Sequence, residues 1–149
     1  MTCNEAKNAC LHWQSQREHS RVELAHKLLS KNFDEAVISQ VIDELVQQGL
    51  QSDVRFVQSF VRSRYTKGHG IAQIRLELGQ HGISGDALNQ CLDEYDWDEL
   101  LEKIHSKRFG ERIPASVKDY AARFRFLSQR GFEHDRIQAF MRRFSRSDD

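Results

Sequence analysis

Three stretches of the chain, KNFDEAVISQVIDEL, HGISGDALNQCLDEY and RGFEHDRIQAFMRRF, lie over one another without a gap. This internal repeat constrains the fold more than any other feature. Phe33, Ile83 and Phe132 head the copies, which are spaced by 50 and 49 residues. Five residues earlier stand Leu28, Leu78 and Leu127, and five later Ile38, Leu88 and Ile137. Eight and nine later come Val41-Ile42, Cys91-Leu92 and Phe140-Met141, and twelve later Leu45, Tyr95 and Phe144. Apolar residues at these offsets form one face of a helix after a turn, and Leu24-Leu28 or Ile74-Leu78 form a shorter helix before it. Upstream of each pair lies a further amphipathic stretch: Ala6-Cys10-Trp13, Phe56-Phe60-Arg64, and Leu100-Ile104 with Lys107 or Arg108. The pattern predicts an all-α chain of three tandem three-helix, helix-turn-helix-like repeats over residues 1–50, 51–96 and 97–149. Units this small bury only a modest share of their surface alone. The repeats are therefore expected to lean on one another in an elongated arrangement.

Start and stop signals agree with the division. Ser20-Arg21-Val22-Glu23 reads as a capping box, Gly49 closes the long helix of the first copy, and Ser52-Asp53 opens the next. FGERIPAS breaks the third copy between its first two helices, with Pro114 suited to the first turn of the second of them. In that copy Phe124 and Leu127 stand three apart where the others have four-residue pairs, which predicts a slightly rotated middle helix. Arg123 falls where Leu24 and Ile74 are expected to be buried.

The stretch KGHGIAQIRLELGQHGIS carries Gly68 and Gly70 around His69, with cations on either side. A dinucleotide fingerprint would need a third glycine where Gln73 stands and a strand before it, and the segment before it has helical period instead. The glycines, with Gly82 at the next turn, are expected to supply positive φ and join helices at an angle. A single proline and 9% aromatic residues also favour helix over sheet.

Nothing in the sequence assembles catalytic chemistry. His12, His19 and His26 recur every seven residues, about 10 Å of helix rise, whereas paired ligands sit about one turn apart. Cys3, Cys10 and Cys91 include no C-x-x-C pair. The acids Asp93, Glu94, Asp96, Asp98 and Glu99 read as a solvated corner beside Trp97. No nucleophile is placed beside a base. The expectation is a binding protein, not an enzyme, with no cofactor or metal. No apolar run approaches membrane-spanning length, and the first residues lack the order of a secretory signal, so a cytoplasmic monomer is expected.

A net charge of zero conceals a division along the chain. From Glu77 to Glu102 there are eight acids and no lysine or arginine before Lys103, and this segment separates a basic patch around Arg55 to Arg75 from a basic last third. Candidate partner-binding residues in the first patch are Arg62, Arg64, Tyr65, Lys67, His69 and Arg75. The last third interleaves basic and aromatic residues, a composition common where nucleic acid is gripped. Its candidates are Arg123, Arg125, Phe126, Arg130, Arg142 and Arg143, with Arg136 and Arg146 beside them. Phe126 is the aromatic that falls off the repeat core and is expected to face a neighbour. Arg64, Lys67 and Arg75 are expected to share one surface.

These residues resemble the RecX family of bacterial regulatory proteins over almost the whole length. The most specific part is RFVQSFVRSRYTKGHGIAQIRLELGQHGIS, where Phe56, Ser63, Arg64, Lys67, Gly68, Gly70, Ile74, Arg75, Leu78, Gly82 and Ile83 match the family pattern. HSRVELAHKL and RFLSQRGFEHDRI match its weaker first and third motifs. The chain departs at His69 and Ile71, where the family often has an aromatic and a proline, and at QSD before Arg55, where it favours paired acids. The resemblance implies a protein that binds the RecA filament on DNA, lodges along its groove, and restrains filament growth, ATP hydrolysis, strand exchange and SOS co-protease activity. A direct helix-turn-helix DNA binder, or a scaffold for another partner, is the alternative that the residues alone leave open.

Overall fold

The side chain of Ser20 accepts a hydrogen bond from Glu23 N–H at 3.1 Å, and the Glu23 carboxylate accepts one from Ser20 N–H at 3.1 Å. The capping box thus opens its helix as the sequence requires. In the computed structural model, which describes residues 2–145, there are nine α-helices and no strand among the described residues. They are α1 (Cys3–Gln16), α2 (Arg21–Ser30), α3 (Glu35–Gln47), α4 (Asp53–Thr66), α5 (Ile71–Gln80), α6 (Asp86–Asp93), α7 (Trp97–Phe109), α8 (Val117–Gln129) and α9 (His134–Ser145). Helical repeats of three are the architecture. Arg146 lies outside the described residues. Gly49 follows α3 at φ 72°, and Ser52 Oγ accepts from Arg55 N–H at the start of α4. Ser116 caps α8, so Pro114 lies before the cap and not in the first helical turn.

The chain folds as two compact units, residues 1–60 with 78–89, and residues 61–77 with 90–149. In the first, α1, α2 and α3 close over Ala6, Cys10, Leu24, Leu28, Val41 and Leu45, all without exposure to solvent. Each leucine buried in this way contributes about 1.5–3 kcal/mol through removal of its surface from water. Phe56, Phe60 and His81 stack beside this core with ring centroids 5.4 to 5.7 Å apart. Gly82, at φ 76°, passes so close to Val22 that a Cβ there would collide with its side chain.

In the second unit the interior is Leu100, Leu101, Leu127, Ile137 and Met141 around one charged residue, Arg123. Arg123 is 0% exposed, as are Leu24 and Ile74 at the same register, so α8 keeps the repeat register and the expected rotation does not occur. Its guanidinium is satisfied within the module. It donates to Arg112 O at 2.9 Å, pairs with Asp119 at 3.2 Å, and lies over the rings of Phe109 and Phe144. A buried cation is tolerable only when paired and hydrogen-bonded in this manner. Phe124, displaced to the flank, is half-buried against His134.

Candidate functional site

The start of α5 has no side-chain cap, and its first free N–H groups are met by backbone carbonyls from the turn between α8 and α9. Gly70 N–H donates to Arg130 O at 2.7 Å, and Ala72 and Gln73 N–H donate to Gly131 O at 2.9 and 3.2 Å. A helix N-terminus needs such acceptors, and here only glycine on both sides lets the chains come close enough. A Cβ on Gly70 would meet the Gly131 carbonyl, and one on Gly131 would meet Gln73. Gly68 has the positive φ expected of it, 85°, whereas Gly70 does not adopt that conformation and is required by close approach instead. This corrects the single role expected for both.

The contact fixes one wall of a groove of about 660 Å³. Tyr65, Lys67 and Gly68 line it from the end of α4; Glu99, Leu100, Lys103, Ile104, Lys107 and Arg108 from α7; and Phe126 and Arg130 from the end of α8. Lys103 and Lys107 stand one helical turn apart, so they share a face. A side chain at Gly68 would press a Cβ to 2.6 Å from Ile104 Cδ1. Arg108 and Arg130 lie over the Phe126 ring at 5.4 and 5.6 Å from its centroid, and Phe109 meets that ring edge-on at 5.5 Å. Such cation–π contacts hold long side chains in place. Phe126 is half-buried, off the repeat core, and its ring carries these two arginines.

The charges in this groove are unbalanced. Among the described residues Lys67, Lys103, Lys107, Arg108 and Arg130 form no ion pair with a carboxylate, and Glu99 is the one acid in the lining. Several arginines elsewhere are engaged: Arg55 with Glu18 at 3.1 Å, Arg136 with Asp98 at 2.6 Å, Arg143 with Glu102 at 3.5 Å. The arrangement can bind a polyanion.

Comparison with known proteins gives this geometry a context. The family model of the RecX first three-helix domain matches residues 6–45, and that of the second three-helix domain matches residues 52–92. The regulatory protein RecX of Pseudomonas entomophila (strain L48) is 38% identical over 125 residues, 83% of this chain and 81% of that protein. That of Halorhodospira halophila (strain DSM 244 / SL1) is 34% identical over 135 residues, 89% of this chain and 84% of that one. The chain belongs to the RecX family. The RecX fold is shared as well. The crystal structure of RecX from Lactobacillus salivarius superposes with a TM-score of 0.77 over 96% of both chains at 24% identity. A second RecX crystal structure gives 0.79 over 92% of this chain and 71% of that one at 20% identity.

The remaining candidate residues of this RecX sequence lie apart from the groove or are engaged. Arg64 Nε donates to Glu77 Oε2 at 3.0 Å and Arg75 is exposed on α5, and neither lines the groove that Lys67 lines. Tyr65 OH donates to Asp96 O at 2.9 Å, and its ring packs on Tyr95 and Trp97. His69 is half-buried. That burial, reinforced by Arg64, Arg130 and Lys67 against the opposing pull of Glu77, holds its imidazole below the ordinary histidine range. Arg123 is an interior group and does not face a partner. Arg62, Arg125 and Arg142 are exposed, and Arg143 lies over Phe140 at 4.2 Å. Three groove residues are missing from the candidates that the sequence suggests, namely Lys103, Lys107 and Arg108. The i, i+4 lysine pair just after the acidic segment is the one signal that could have found them. In the sequence Lys107 and Arg108 extend an amphipathic stripe, whereas both are exposed.

Proposed function

We propose that this protein regulates RecA by binding the RecA nucleoprotein filament along its groove, limiting filament growth, ATP hydrolysis, strand exchange and SOS co-protease activity. The observation that carries the reading is family membership, with RecX regulators matching over more than four fifths of the chain. The groove of the second unit supports it, because clustered cations without carboxylate partners among the described residues suit a charged assembly. Lys67, Phe126 and Arg130 stay in the interface, and Lys103, Lys107 and Arg108 join them. Repeats bounded at residues 1–50, 51–96 and 97–149 would meet a repeating polymer with several modest contacts. Linked contacts raise affinity by effective concentration. The protein acts as a cytoplasmic monomer without cofactor or turnover of its own.

The test is DNA-dependent ATP hydrolysis by RecA with increasing amounts of the protein. Hydrolysis and strand exchange should both fall as the protein approaches saturation of the filament. Rates that stay unchanged at saturation would overturn the regulatory reading.

A further inference from the structure

We infer that the exposed face of α8 at Ala121 receives the α2–α3 turn at Asn32 of a second copy of this chain, so that copies join head to tail. The contact repeats, between molecules, one that the chain already makes within each of its two units.

In both units the start of a repeat's second helix is covered by the turn of the repeat that follows. Within the first unit Gly82, in the α5–α6 turn, lies against Val22 of α2. Within the second, the carbonyl of Gly131, in the α8–α9 turn, accepts from Ala72 N–H of α5 at 2.9 Å. The repeat puts both pairs at the same two positions. Gly82 and Gly131 stand just before Ile83 and Phe132, and Val22 and Ala72 stand two residues before the buried Leu24 and Ile74. The series has one more member of each kind. Ala121 stands two residues before Arg123 and Asn32 just before Phe33, and both are exposed, as are their neighbours Ala122 and Lys31. Repeat modules bury such faces on the next module, and a face without one stays open.

The two open surfaces have the form of the buried ones. Asn32 is the one non-glycine residue at positive φ among the described residues, at 68°, beside 76° for Gly82 and 95° for Gly131. Its turn therefore has the left-handed form of the other two, which asparagine tolerates better than most residues. The groove beside α8 is lined by Tyr120, Ala121, Phe124, Arg125, Ser128 and His134. Each of them stands two repeat spacings, 50 and then 49 residues, after a residue that lines the groove beside α2. Of the two internal contacts, that at Val22 is the closer template, because α2 and α8 both open on a serine side-chain cap.

Side-chain bulk is exchanged across the proposed contact. A Cβ on Gly82 would collide with Cγ2 of Val22 and would lie 3.1 Å from its Cβ and 3.6 Å from Cγ1. Asn32 has a Cβ at the glycine position, and Ala121 lacks both γ carbons at the valine position. What remains is the tight approach of two Cβ atoms, which a small shift relieves. Charge is also complementary. Asp34 and Glu35 follow the turn, Lys118 and Arg125 flank Ala121, and all four are exposed and form no ion pair among the described residues. A contact between two different patches is heterologous, so it adds copies in one direction. It is small, and the dilute protein is a monomer. Copies lined up on a repeating support would gain this contact on top of those with the support.

The test is sedimentation equilibrium of the full chain over a concentration series, with helix content followed by circular dichroism. The parent's average mass should rise with concentration. Ala121→Val places γ carbons opposite a residue that has a Cβ, and should weaken association at least about tenfold, as overpacking does. Asn32→Gly with Ala121→Val rebuilds the pair present at Gly82 and Val22, and should return association to the parent's level. Both positions are exposed, so each variant should keep its fold. A second reading uses disulfide formation in a Cys3→Ser background, where the cysteines left, Cys10 and Cys91, are buried. Asn32→Cys mixed with Ala121→Cys should yield a cross-linked dimer with one of each, and neither alone should. The inference is overturned by a parent that stays a monomer at the highest concentration reached, or by an Ala121→Val protein that associates as the parent does. It is overturned equally by a paired substitution that does not recover, or by either cysteine variant cross-linking alone as well as the mixture. None of these readings involves RecA, so they stand or fall separately from the regulatory reading.

Discussion

At Gly70 the chain uses a glycine for proximity. Its N–H reaches Arg130 O at 2.7 Å because neither Gly70 nor Gly131 carries a side chain. Gly70→Ala should therefore destabilise the protein by about 1–3 kcal/mol, as forced overpacking does. Gly79→Ala is the informative contrast. Gly79 lies within α5 with nothing within 4 Å of the place a Cβ would take, so alanine there should stabilise by about 0.5–1 kcal/mol. Urea unfolding of both variants checks the pair, and a Gly70→Ala protein as stable as its parent would remove the close-approach account. That Gly68 and Gly70 serve a turn was legible in the sequence, but the reason glycine is needed at Gly70 was not. Its partner sits in another repeat, and residue spacing carries no information on which turn meets which.

Among the elements, α8 differs most from its counterparts because it buries Arg123 where α2 and α5 bury Leu24 and Ile74. Periodicity places Leu28, Leu78 and Leu127 in equivalent interior sites, and all three have no exposure. The same periodicity puts Arg123 in register with a leucine, and from sequence the conflict between charge and position favours a rotated helix. Of the polar partners that allow the opposite outcome, Asp119 stands four residues before Arg123 on α8 itself, and Arg112 O comes from loop geometry that a hydrophobic pattern does not encode. This interior also sets an acid limit. Arg123 Nη1 lies 3.4 Å from His105 Nε2, and burial, then Arg123 and Arg143, push the His105 pKa from 6.5 down to about 4, against the weaker pull of Glu111 and Asp119. The folded imidazole is thus neutral while the unfolded one takes a proton more readily. Stability is full above about pH 6.5 and falls toward about pH 4, with a loss on the order of 2 kcal/mol by pH 5. His105→Gln removes this contribution, so its unfolding free energy should fall less than the parent's between pH 7.5 and pH 5, by about that amount. Parallel pH profiles for the two proteins would show that His105 does not titrate against Arg123.

For the whole molecule, charge is distributed by pairing and not by amount. The sequence has a basic last third, yet Arg123, Arg136 and Arg143 of that third are engaged within the chain, and the cations without carboxylate partners in the groove come from α4, α7 and α8. Lys67 was legible as a candidate beside the turn glycines Gly68 and Gly70, and Arg130 as one of the basic residues interleaved with aromatics in the last third. Lys103, Lys107 and Arg108 were not, since they meet the other groove residues only when α7 is folded against the other two helix ends. Family membership supports the proposed regulatory role, and the groove is the surface proposed to exert it. The most direct test is the affinity of fluorescently labelled protein for RecA assembled on single-stranded DNA, compared between the parent and the charge reversal Lys67→Glu with Arg130→Glu. The account predicts that the parent binds the assembled filament more tightly than RecA alone, and that the reversal weakens filament binding at least about tenfold with helix content preserved. Equal filament affinity of parent and reversal at moderate salt would contradict it.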